Sequence, residues 1–441
     1  MRQNLFLWAV IFSLLAGIFL IRYAIVGQAV YGDGIYYWGY TRSLVLDHDL
    51  DLRNEGAHTY SPEINNSESV VHPTERTNLL NGRYYPIGTS LLWLPLFYLL
   101  HFLTKLLFTF GLPAIPNGYS DIYQIGIGLL NVGFVIGGTA LNYKTLLFYF
   151  KGNIAKLTAL AILFSSNLFY YGSIDVINSH PLSFFFSSLF CYLFVQSLKK
   201  RTYRMWLVLG TLSGILAIIR LQDGLFGLLL ISQVIGMFFT NRRKNISQNI
   251  LGLLLAGFGG VVGFAPQFIT SHLIYHFPLT LPYTFQLELF HIRDPKLLEL
   301  IFDTSRGLLF YSPVYIISFL GLCVLPKSLR VVQVAFIPTI VASYLLVSIW
   351  PAWSQGESYG IRMFISLLPL LSFGLAVVLQ ALANRFSRAV LAFILGAFIL
   401  HNVIMILGFH LFLHSPTYVG EDISRSGKLK MRILDRFSQN K

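Results

Sequence analysis

The sequence predicts an all-α, polytopic membrane protein. Of its 441 residues, 55% are hydrophobic and only 12% are charged, whereas roughly a quarter of the residues in soluble domains carry a charge. Apolar runs long enough to cross a bilayer as helices recur along the chain, and clusters of Lys and Arg separate them. These observations exclude an ordinary soluble enzyme. The net charge of +13 is typical of basic cytoplasmic loops, so we expect no nucleic-acid partner.

Basic clusters determine the expected topology. Residues 5–26 form the first apolar run, and no small-residue cleavage motif follows it, so we expect an uncleaved first span. The clusters that mark the cytoplasmic side are Lys144, Lys151 and Lys156; Lys199, Lys200, Arg201 and Arg204; Arg242, Arg243 and Lys244; Lys327 and Arg330; and Arg385 and Arg388. Between them the apolar segments pair as 122–143 with 154–173, 181–198 with 204–221, 223–240 with 250–272, 307–325 with 331–350, and 361–382 with 389–412. The prediction is therefore about 11 transmembrane helices with a cytoplasmic N-terminus.

The apolar run 88–110 is the exception to this pairing. If it crossed the membrane, every later basic cluster would face outward. We therefore expect it to be juxtamembrane or re-entrant, within one long outer loop of residues 27–120. His101 and Lys105 lie four positions apart, which gives a helix there a polar side suited to an interface.

The segment directly after the first span carries the main candidate for chemistry. Asp33 lies between Gly32 and Gly34, which leave the backbone free to bend and leave a substrate room to approach. Tyr and Trp side chains follow, and they suit an interfacial belt or a surface on which a sugar stacks. We therefore take Asp33 as the candidate catalytic carboxylate. The alternative is that the Gly-Asp-Gly motif only turns the chain out of the membrane helix.

A second acidic cluster lies further along the same loop. His48, Asp49 and Asp51 provide donor groups that suit a divalent cation or the hydroxyls of a substrate. We expect Asp49 and Asp51 to bind substrate, and a divalent cation is the one cofactor that the sequence leaves open. The alternative is a solvated helix end capped by Asp49 or Asp51, with no metal.

Two further outer segments supply polar candidates. Asp175 and His180 flank Asn178 in the second outer loop; they bind a polar substrate, or Asp175 or Asn178 only caps the next helix. Arg220 ends a span, where a guanidinium group is costly unless it meets an anion. That anion is either a lipid phosphate or Asp223, and a salt bridge with Asp223 is the favoured interpretation.

The last two outer loops combine arginines with aromatic residues. Arg306 closes the loop 273–306, and Trp353, Glu357 and Arg362 follow at the mouth of the last helix pair. Aromatic faces cover the C–H surfaces of sugars while charged groups hold hydroxyls or phosphate, so this mixture is typical of a carbohydrate site. The alternative is an interfacial Trp anchor beside a Glu357–Arg362 ion pair.

Signatures of nucleotide and hydrolase chemistry are missing from the sequence. It contains no Walker loop, no Gly-rich dinucleotide fingerprint, no His-Glu-x-x-His and no Gly-x-Ser-x-Gly. The predicted topology places every candidate group on the outer face, away from cytosolic ATP and sugar nucleotides. A transferase that works there needs an activated donor already in the membrane.

Several of these segments together resemble the GT-C superfamily of polyprenyl-phosphate-sugar-dependent glycosyltransferases, which includes protein O-mannosyltransferases and lipid A aminoarabinose transferases. The resemblance covers most of residues 1–382 and rests on Gly32-Asp33-Gly34, Asp49-Leu50-Asp51 with Asn54-Glu55, Tyr85-Pro86-Ile87-Gly88, Asp175, the segment 306–313 and Tyr359-Gly360-Ile361-Arg362. It implies a GT-C-like bundle whose long first outer loop carries juxtamembrane helices. It also implies an inverting transfer from a lipid-linked sugar, with Asp33 as general base and an Arg on the donor phosphate.

The expected function is therefore that of a membrane glycosyltransferase. As the resemblance implies, it moves a sugar from a polyprenyl-phosphate-linked donor to a lipid, glycan or protein acceptor on the outer face of the cytoplasmic (inner) membrane. Its partners are the donor, the acceptor and membrane lipids. Arg362 and Arg306 rank ahead of Arg220 as ligands of the donor phosphate, because Asp223 lies beside Arg220.

The expected organisation is a single membrane domain, residues 1–413, followed by a basic tail, residues 414–441. The alternative function is a transporter or flippase of a polar lipid or anion. That function needs charged residues inside the spans and inverted repeats, and neither is evident in the sequence.

Overall fold

The computed structural model describes residues 2–52, 55, 84–199, 202–239, 246–282, 290–356 and 358–410. All regular secondary structure in these residues is helical, which confirms the predicted all-α class. The predicted basic tail, 414–441, and the middle of the first outer loop, 56–83, lie outside the described residues.

The helices are numbered here in chain order. The first eight are α1 (Arg2–Val26), α2 (Gly34–Arg42), α3 (Gly88–Thr109), α4 (Asp121–Leu146), α5 (Gly152–Ser165), α6 (Leu168–Ser173), α7 (His180–Lys199) and α8 (Tyr203–Ile219). The others are α9 (Gly227–Phe239), α10 (Ile246–Tyr275), α11 (Glu299–Phe302), α12 (Leu308–Tyr311), α13 (Val314–Cys323), α14 (Arg330–Ser348), α15 (Leu368–Arg385) and α16 (Arg388–Gly408). Tight helical turns follow α2 (Ser43–Asp47) and precede α9 (Leu221–Phe226), α14 (Lys327–Leu329) and α15 (Arg362–Leu367).

Eight of the described helices are long and apolar enough to cross a membrane. Seven of them, α1, α4, α7, α10, α14, α15 and α16, coincide with predicted spans, and the eighth is α3. Shorter apolar helices occupy the other four predicted spans: Gly152–Ser165, Tyr203–Ile219, Leu221–Ile235 and Val314–Cys323. The chain is thus an integral, multi-pass membrane protein, and the predicted count of eleven crossings depends on these four short helices.

The predicted span 154–173 is broken into two helices, α5 and α6. Ser166 has an extended backbone, with φ −122° and ψ 172°, which interrupts the helix and leaves carbonyl groups without helical partners. The side-chain amide of Asn402, in α16, donates to the carbonyl oxygens of Phe164 and Ser166, each at 2.9 Å. Because an unpaired carbonyl is costly in an apolar environment, this contact stabilises the break.

The long first loop begins and ends at the same end of the bundle, which we call the outer end. The Tyr23 hydroxyl, near the end of α1, donates to Asp121 at the start of α4 at 2.7 Å. The side-chain oxygen of Gln124 accepts a hydrogen bond from the backbone N–H of Ala29 at 2.8 Å. Residues 27–120 therefore leave and re-enter the bundle side by side.

Helix α3 contacts the outer parts of its neighbours. A Cβ on Gly88 would come within 2.6 Å of the backbone of Ile218, in the last turn of α8. Further along α3, Trp93 Nε1 donates to Asn131 Oδ1 at 3.0 Å, and His101 Nδ1 lies 2.7 Å from the hydroxyl of Tyr123 in the first turn of α4. By length and composition α3 is able to span, and its expected position along the membrane surface stays a prediction.

The central helices position the outer end of the bundle. Helices α4 and α7 pack along each other, and α15 packs against both of them. The turn Arg362–Leu367 packs on α7, while α2 packs on α3. The outer ends of α7, α8 and α15 therefore converge on the segment that follows the first span.

Candidate active site

Asp33 lies at the outer end of the bundle, directly before α2. Gly32 has a left-handed backbone conformation (φ +57°), which residues with side chains rarely adopt. Gly34 packs so closely on the segment 174–179 that a Cβ would come within 2.2 Å of the Ile177 carbonyl oxygen. The Gly-Asp-Gly motif thus turns the chain, as the alternative interpretation held, and it also brings Asp33 against that segment.

Asp33 forms an ion pair with Arg362. The distance between Asp33 Oδ2 and Arg362 Nη2 is 2.7 Å, and the two side chains are 32% and 16% exposed. The second carboxylate oxygen, Oδ1, accepts a hydrogen bond from the Tyr85 hydroxyl at 3.2 Å. Both oxygens of Asp33 therefore face a donor, and a third of the side chain is still open to a substrate.

Tyr85 is held in place by its neighbours. The backbone N–H of Ile87 donates to the side-chain oxygen of Gln267, in α10, at 3.0 Å, and the Gln267 amide donates to the Tyr84 hydroxyl at 2.6 Å. The Tyr85 ring stacks on Tyr36, with ring centres 4.2 Å apart and planes 9° apart. Tyr85 is not among the predicted site residues; its signal in the sequence is the Tyr-Tyr-Pro run before α3.

The segment between α6 and α7 contributes Asp175. The Asn178 side-chain amide donates to Asp175 Oδ1 at 3.0 Å, and its oxygen accepts from the backbone N–H of His180 at 2.8 Å. Asn178 therefore caps α7, as one of the two interpretations predicted. Burial raises the pKa of Asp175 to about 6, against the opposing effects of Asn178 and Arg362. Asp175 thus adds a second carboxyl group, with a raised pKa, to this part of the protein.

The predicted ion pair between Arg220 and Asp223 does not form. Among the described residues the Arg220 guanidinium group contacts both ring nitrogens of His180, with Nη1 3.2 Å from Nε2. Asp223 accepts a hydrogen bond from the Ser183 hydroxyl at 2.5 Å instead. A guanidinium group only donates, so the imidazole accepts and is neutral in this contact. The backbone turn Leu221–Phe226 directs Asp223 toward α7 rather than toward Arg220.

The surroundings of Tyr37 show that the charged groups converge. Burial raises the pKa of Tyr37 to about 12; Asp33 acts in the same direction, whereas Arg220 and Arg362 act against it. These three charges therefore act electrostatically on one phenol group, although they come from distant parts of the chain. We use the name outer cluster for Asp33, Tyr85, Asp175, His180, Arg220 and Arg362.

The second acidic cluster forms a local turn. Asp49 Oδ1 accepts hydrogen bonds from the Ser43 hydroxyl at 2.7 Å and from the backbone N–H of Asp51 at 3.1 Å. His48 has a left-handed backbone conformation (φ +60°). Within the described ranges no group of three His, Cys, Asp or Glu side chains is arranged to hold a metal ion. The Asp49 carboxylate is engaged in this turn and not with the outer cluster; substrate binding by Asp49 and Asp51 stays a prediction.

The other predicted site residues make no contact with Asp33 in the described part of the chain. Arg306 donates to the backbone carbonyl of Ser358, and its guanidinium group lies 5.7 Å from the centre of the Phe409 ring. Trp353 is half-buried against the hydrophobic core. Glu357 lies outside the described residues, and so does the ion pair predicted for it. In the described residues Arg362 therefore contacts Asp33, Arg220 contacts His180, and Arg306 contacts neither Asp33 nor His180.

Comparison with known proteins identifies the fold. No protein-family model and no curated protein matches the chain. Among solved structures it is similar to ArnT from Cupriavidus metallidurans bound to undecaprenyl phosphate, with a TM-score of 0.52 and 13% identity over 86% of this chain and 60% of ArnT. It is also similar to the apo state of that protein, with a TM-score of 0.49 and 15% identity over the same shares. The chain thus shares the fold of ArnT over most of its own residues, and it spans about 60% of the length of ArnT.

Proposed function

We propose that the protein is a membrane glycosyltransferase that moves a sugar from a polyprenyl-phosphate-linked donor to an acceptor hydroxyl. The observation that carries this proposal is the ion-paired but accessible carboxylate of Asp33, which is 32% exposed and contacts Arg362; Arg220 and Arg362 both act electrostatically on Tyr37. A base for a hydroxyl group and cations for a phosphate are the two features that such a transfer needs. The fold shared with ArnT, which was solved with undecaprenyl phosphate, supports the same class of donor.

In the proposed reaction Asp33 acts as general base. It accepts the proton of the acceptor hydroxyl while the hydroxyl oxygen forms a bond to the anomeric carbon of the sugar. The bond between that carbon and the donor's phosphate oxygen breaks, and its electron pair leaves with the phosphate. Attack and departure occur on opposite faces, so the anomeric configuration inverts. The phosphate gains negative charge, which nearby guanidinium groups stabilise.

The ranking of arginines for the phosphate changes with the structure. Arg220 ranked last in the sequence because of Asp223, but it contacts a neutral imidazole instead. A guanidinium group without a carboxylate partner binds phosphate without losing an ion pair. Arg362 is paired with Asp33. We therefore place Arg220 as the first phosphate ligand and Arg362 as the second, with Arg306 outside this role.

The same proposal assigns the transfer to the outer side of the cytoplasmic membrane. The outer cluster lies at the end of the bundle that carries residues 27–120, and the basic residues Lys144 and Lys151 lie at the opposite end of α4. A donor anchored by its own lipid reaches this position from within the bilayer. It therefore needs no cytosolic nucleotide at the site.

The test is the release of undecaprenyl phosphate from undecaprenyl-phosphate-linked hexoses and pentoses by purified protein in defined lipid, with a membrane lipid extract as acceptor. Asp33→Asn keeps the size of the side chain but removes the base, so we expect release to be slower by about a hundredfold or more. Asp294→Asn removes an exposed carboxylate that pairs with Lys296 outside the cluster, and serves as the matched control. Near-normal turnover by Asp33→Asn would remove Asp33 from catalysis, and no release with any donor would contradict the proposed function.

A further inference from the structure

The two arginines of the outer cluster have different partners. Arg362 faces the Asp33 carboxylate at 2.7 Å, whereas Arg220 faces the neutral ring of His180. Both act electrostatically on Tyr37 and on His180. In the described residues, an incoming anion therefore meets one guanidinium group that is paired with a carboxylate and one that is not.

The ion pair with Arg362 occupies the Asp33 carboxylate. Oδ2 lies 2.7 Å from Arg362 Nη2, and Oδ1 accepts a hydrogen bond from the Tyr85 hydroxyl at 3.2 Å. An acceptor hydroxyl that met this arrangement would find both carboxylate oxygens already facing a donor, and it would have to compete with Arg362 for Oδ2.

A phosphate group competes with Asp33 for Arg362. Its oxygens accept two parallel hydrogen bonds from a guanidinium fork, as a carboxylate does. Arg362 is 16% exposed, so its fork can be reached without unfolding the site. Asp33 would not move away when it lost Arg362, because Tyr85 holds its other oxygen at 3.2 Å.

We infer that the Asp33–Arg362 ion pair is a resting state, and that the donor's phosphate takes over Arg362 and thereby releases Asp33 to act as a base. The inference rests on the proposed function and adds that donor binding is coupled to the release of Asp33 from Arg362. Arg220 receives the phosphate, Arg362 exchanges its carboxylate partner for the phosphate, and Tyr85 keeps Asp33 in place. The base is then active only when a donor is bound, which protects the site from unproductive proton transfer.

Thermodynamic linkage gives this coupling a measurable consequence that needs no sugar transfer. If the phosphate and Asp33 compete for Arg362, removal of the Asp33 charge must strengthen binding of a phosphate anion, and only when Arg362 is present. The probe is farnesyl phosphate, titrated into the full-length protein in detergent at pH 8 and low salt, with uncharged farnesol as the control for partition into micelles.

We expect Asp33→Asn to bind farnesyl phosphate tighter than the wild type by roughly fivefold or more. Arg362→Gln should bind it more weakly than the wild type. The double variant should bind it as Arg362→Gln does, so that the gain disappears. If Arg362→Gln fails to give a monodisperse protein with a cooperative thermal transition, Arg362→Lys replaces it. That variant keeps the charge without the fork and should retain only part of the gain.

Two carboxylates supply matched controls. Asp175→Asn removes a negative charge that acts on Arg362 through space but forms no ion pair with it, so its gain should stay within about twofold. Asp294→Asn breaks an ion pair with Lys296 far along the chain and should change nothing. These controls separate partner exchange from a general loss of negative charge.

Any of three results would overturn the inference. In the first, Asp33→Asn binds farnesyl phosphate no tighter than the wild type does. In the second, Asp33→Asn gains as much affinity in the Arg362→Gln background as in the wild type; in the third, no variant binds farnesyl phosphate better than farnesol. A failure of the sugar-transfer assay with an intact binding gain would reject the proposed function and leave the exchange of partners standing. Normal sugar transfer without the gain in farnesyl phosphate binding would support the proposed function and reject the exchange of partners.

Discussion

The hydroxyl of Tyr85 donates a hydrogen bond to Asp33 Oδ1 at 3.2 Å, across 52 positions of the sequence. The contact joins the segment before α3 to the residue before α2. It leaves Oδ2 to Arg362, so Tyr85 and Arg362 together determine how the carboxylate is oriented. We regard Tyr85 as a positioning residue that acts through Asp33.

Tyr85→Phe tests this role, because it removes one hydroxyl group and keeps the ring stacked on Tyr36. A hydrogen bond to a charged group contributes about 1.5–3 kcal/mol, so kcat should fall by about tenfold or more. The KM for the donor should change by less than about twofold, since Tyr85 is not a proposed phosphate ligand. The measurement is steady-state transfer at saturating and limiting donor.

Tyr84→Phe is the matched control for that prediction. The Tyr84 hydroxyl contacts Ser271 at 2.7 Å and Gln267 at 2.6 Å, and not Asp33. Its loss should lower the thermal unfolding temperature and leave kcat nearly unchanged. If both variants lose kcat to the same extent, Tyr85 has a structural role only.

Arg220→Gln should weaken binding of farnesyl phosphate by roughly 10- to 100-fold, which corresponds to about 1.5–3 kcal/mol for a charge-assisted contact. Arg306→Gln should weaken it far less, because Arg306 donates to a backbone carbonyl beside Phe409. Equilibrium titration of both variants decides the order. A larger loss with Arg306→Gln than with Arg220→Gln would restore the ranking expected from the sequence, and unchanged binding by Arg220→Gln would exclude Arg220 as a phosphate ligand.

The raised pKa of Asp175 predicts how the free energy of unfolding depends on pH. Burial raises the pKa of Asp175 in the folded protein to about 6 from its ordinary value of 3.8. The folded state therefore binds more protons than the unfolded state between about pH 4 and pH 6, and the contribution of Asp175 to stability falls as the pH rises through this window. Above it the buried charge is a constant cost.

Asp175→Asn removes this titration. The unfolding temperature of the variant, relative to the wild type, should therefore rise as the pH increases from about 4.5 to about 7. The measurement is a series of thermal unfolding curves in detergent at fixed ionic strength, with Asp294→Asn as the control for an exposed carboxylate. A difference that stays constant across the series would contradict the raised pKa.

The orientation of α3 is tested by the accessibility of single cysteines. Pro113→Cys, after α3, and Asn153→Cys, at the start of α5, are placed in a background where Cys191 and Cys323 are serine. Both positions are exposed. If α3 lies along the outer surface, a membrane-impermeant reagent labels position 113 from outside, whereas position 153 reacts only after the membrane is opened. Labelling of position 153 from outside, with position 113 protected until the membrane is opened, would mean that α3 crosses the membrane.

Much of the membrane architecture was determined by the sequence itself. Whether a stretch of about 20 residues is apolar enough to span, and whether basic residues flank it, are properties of that stretch alone. Seven long helices therefore coincide with predicted spans. The position of Asp33 directly after the first span is local in the same sense, since Gly32 and Gly34 determine the turn.

The partners of the charged groups were decided by the tertiary structure. For Arg220 the sequence indicated Asp223, three positions away, yet Asp223 accepts a hydrogen bond from Ser183 of α7. For Asp33 no local pattern indicated Arg362, near the other end of the chain. The break at Ser166 was also not predictable from the local sequence, because the amide that stabilises it belongs to Asn402 in α16.

The physical reason is the short range of these interactions. Proximity in sequence makes an ion pair possible, but its formation requires atoms within about 3 Å and correct orientation. That geometry depends on how α7 packs on α8 and on the turn Arg362–Leu367, and on how α2 packs on α3, which is the sum of many apolar contacts along whole helices. The length of an apolar segment and the basic residues beside it determine on which side of the membrane a residue lies. Helix packing determines which other group that residue contacts.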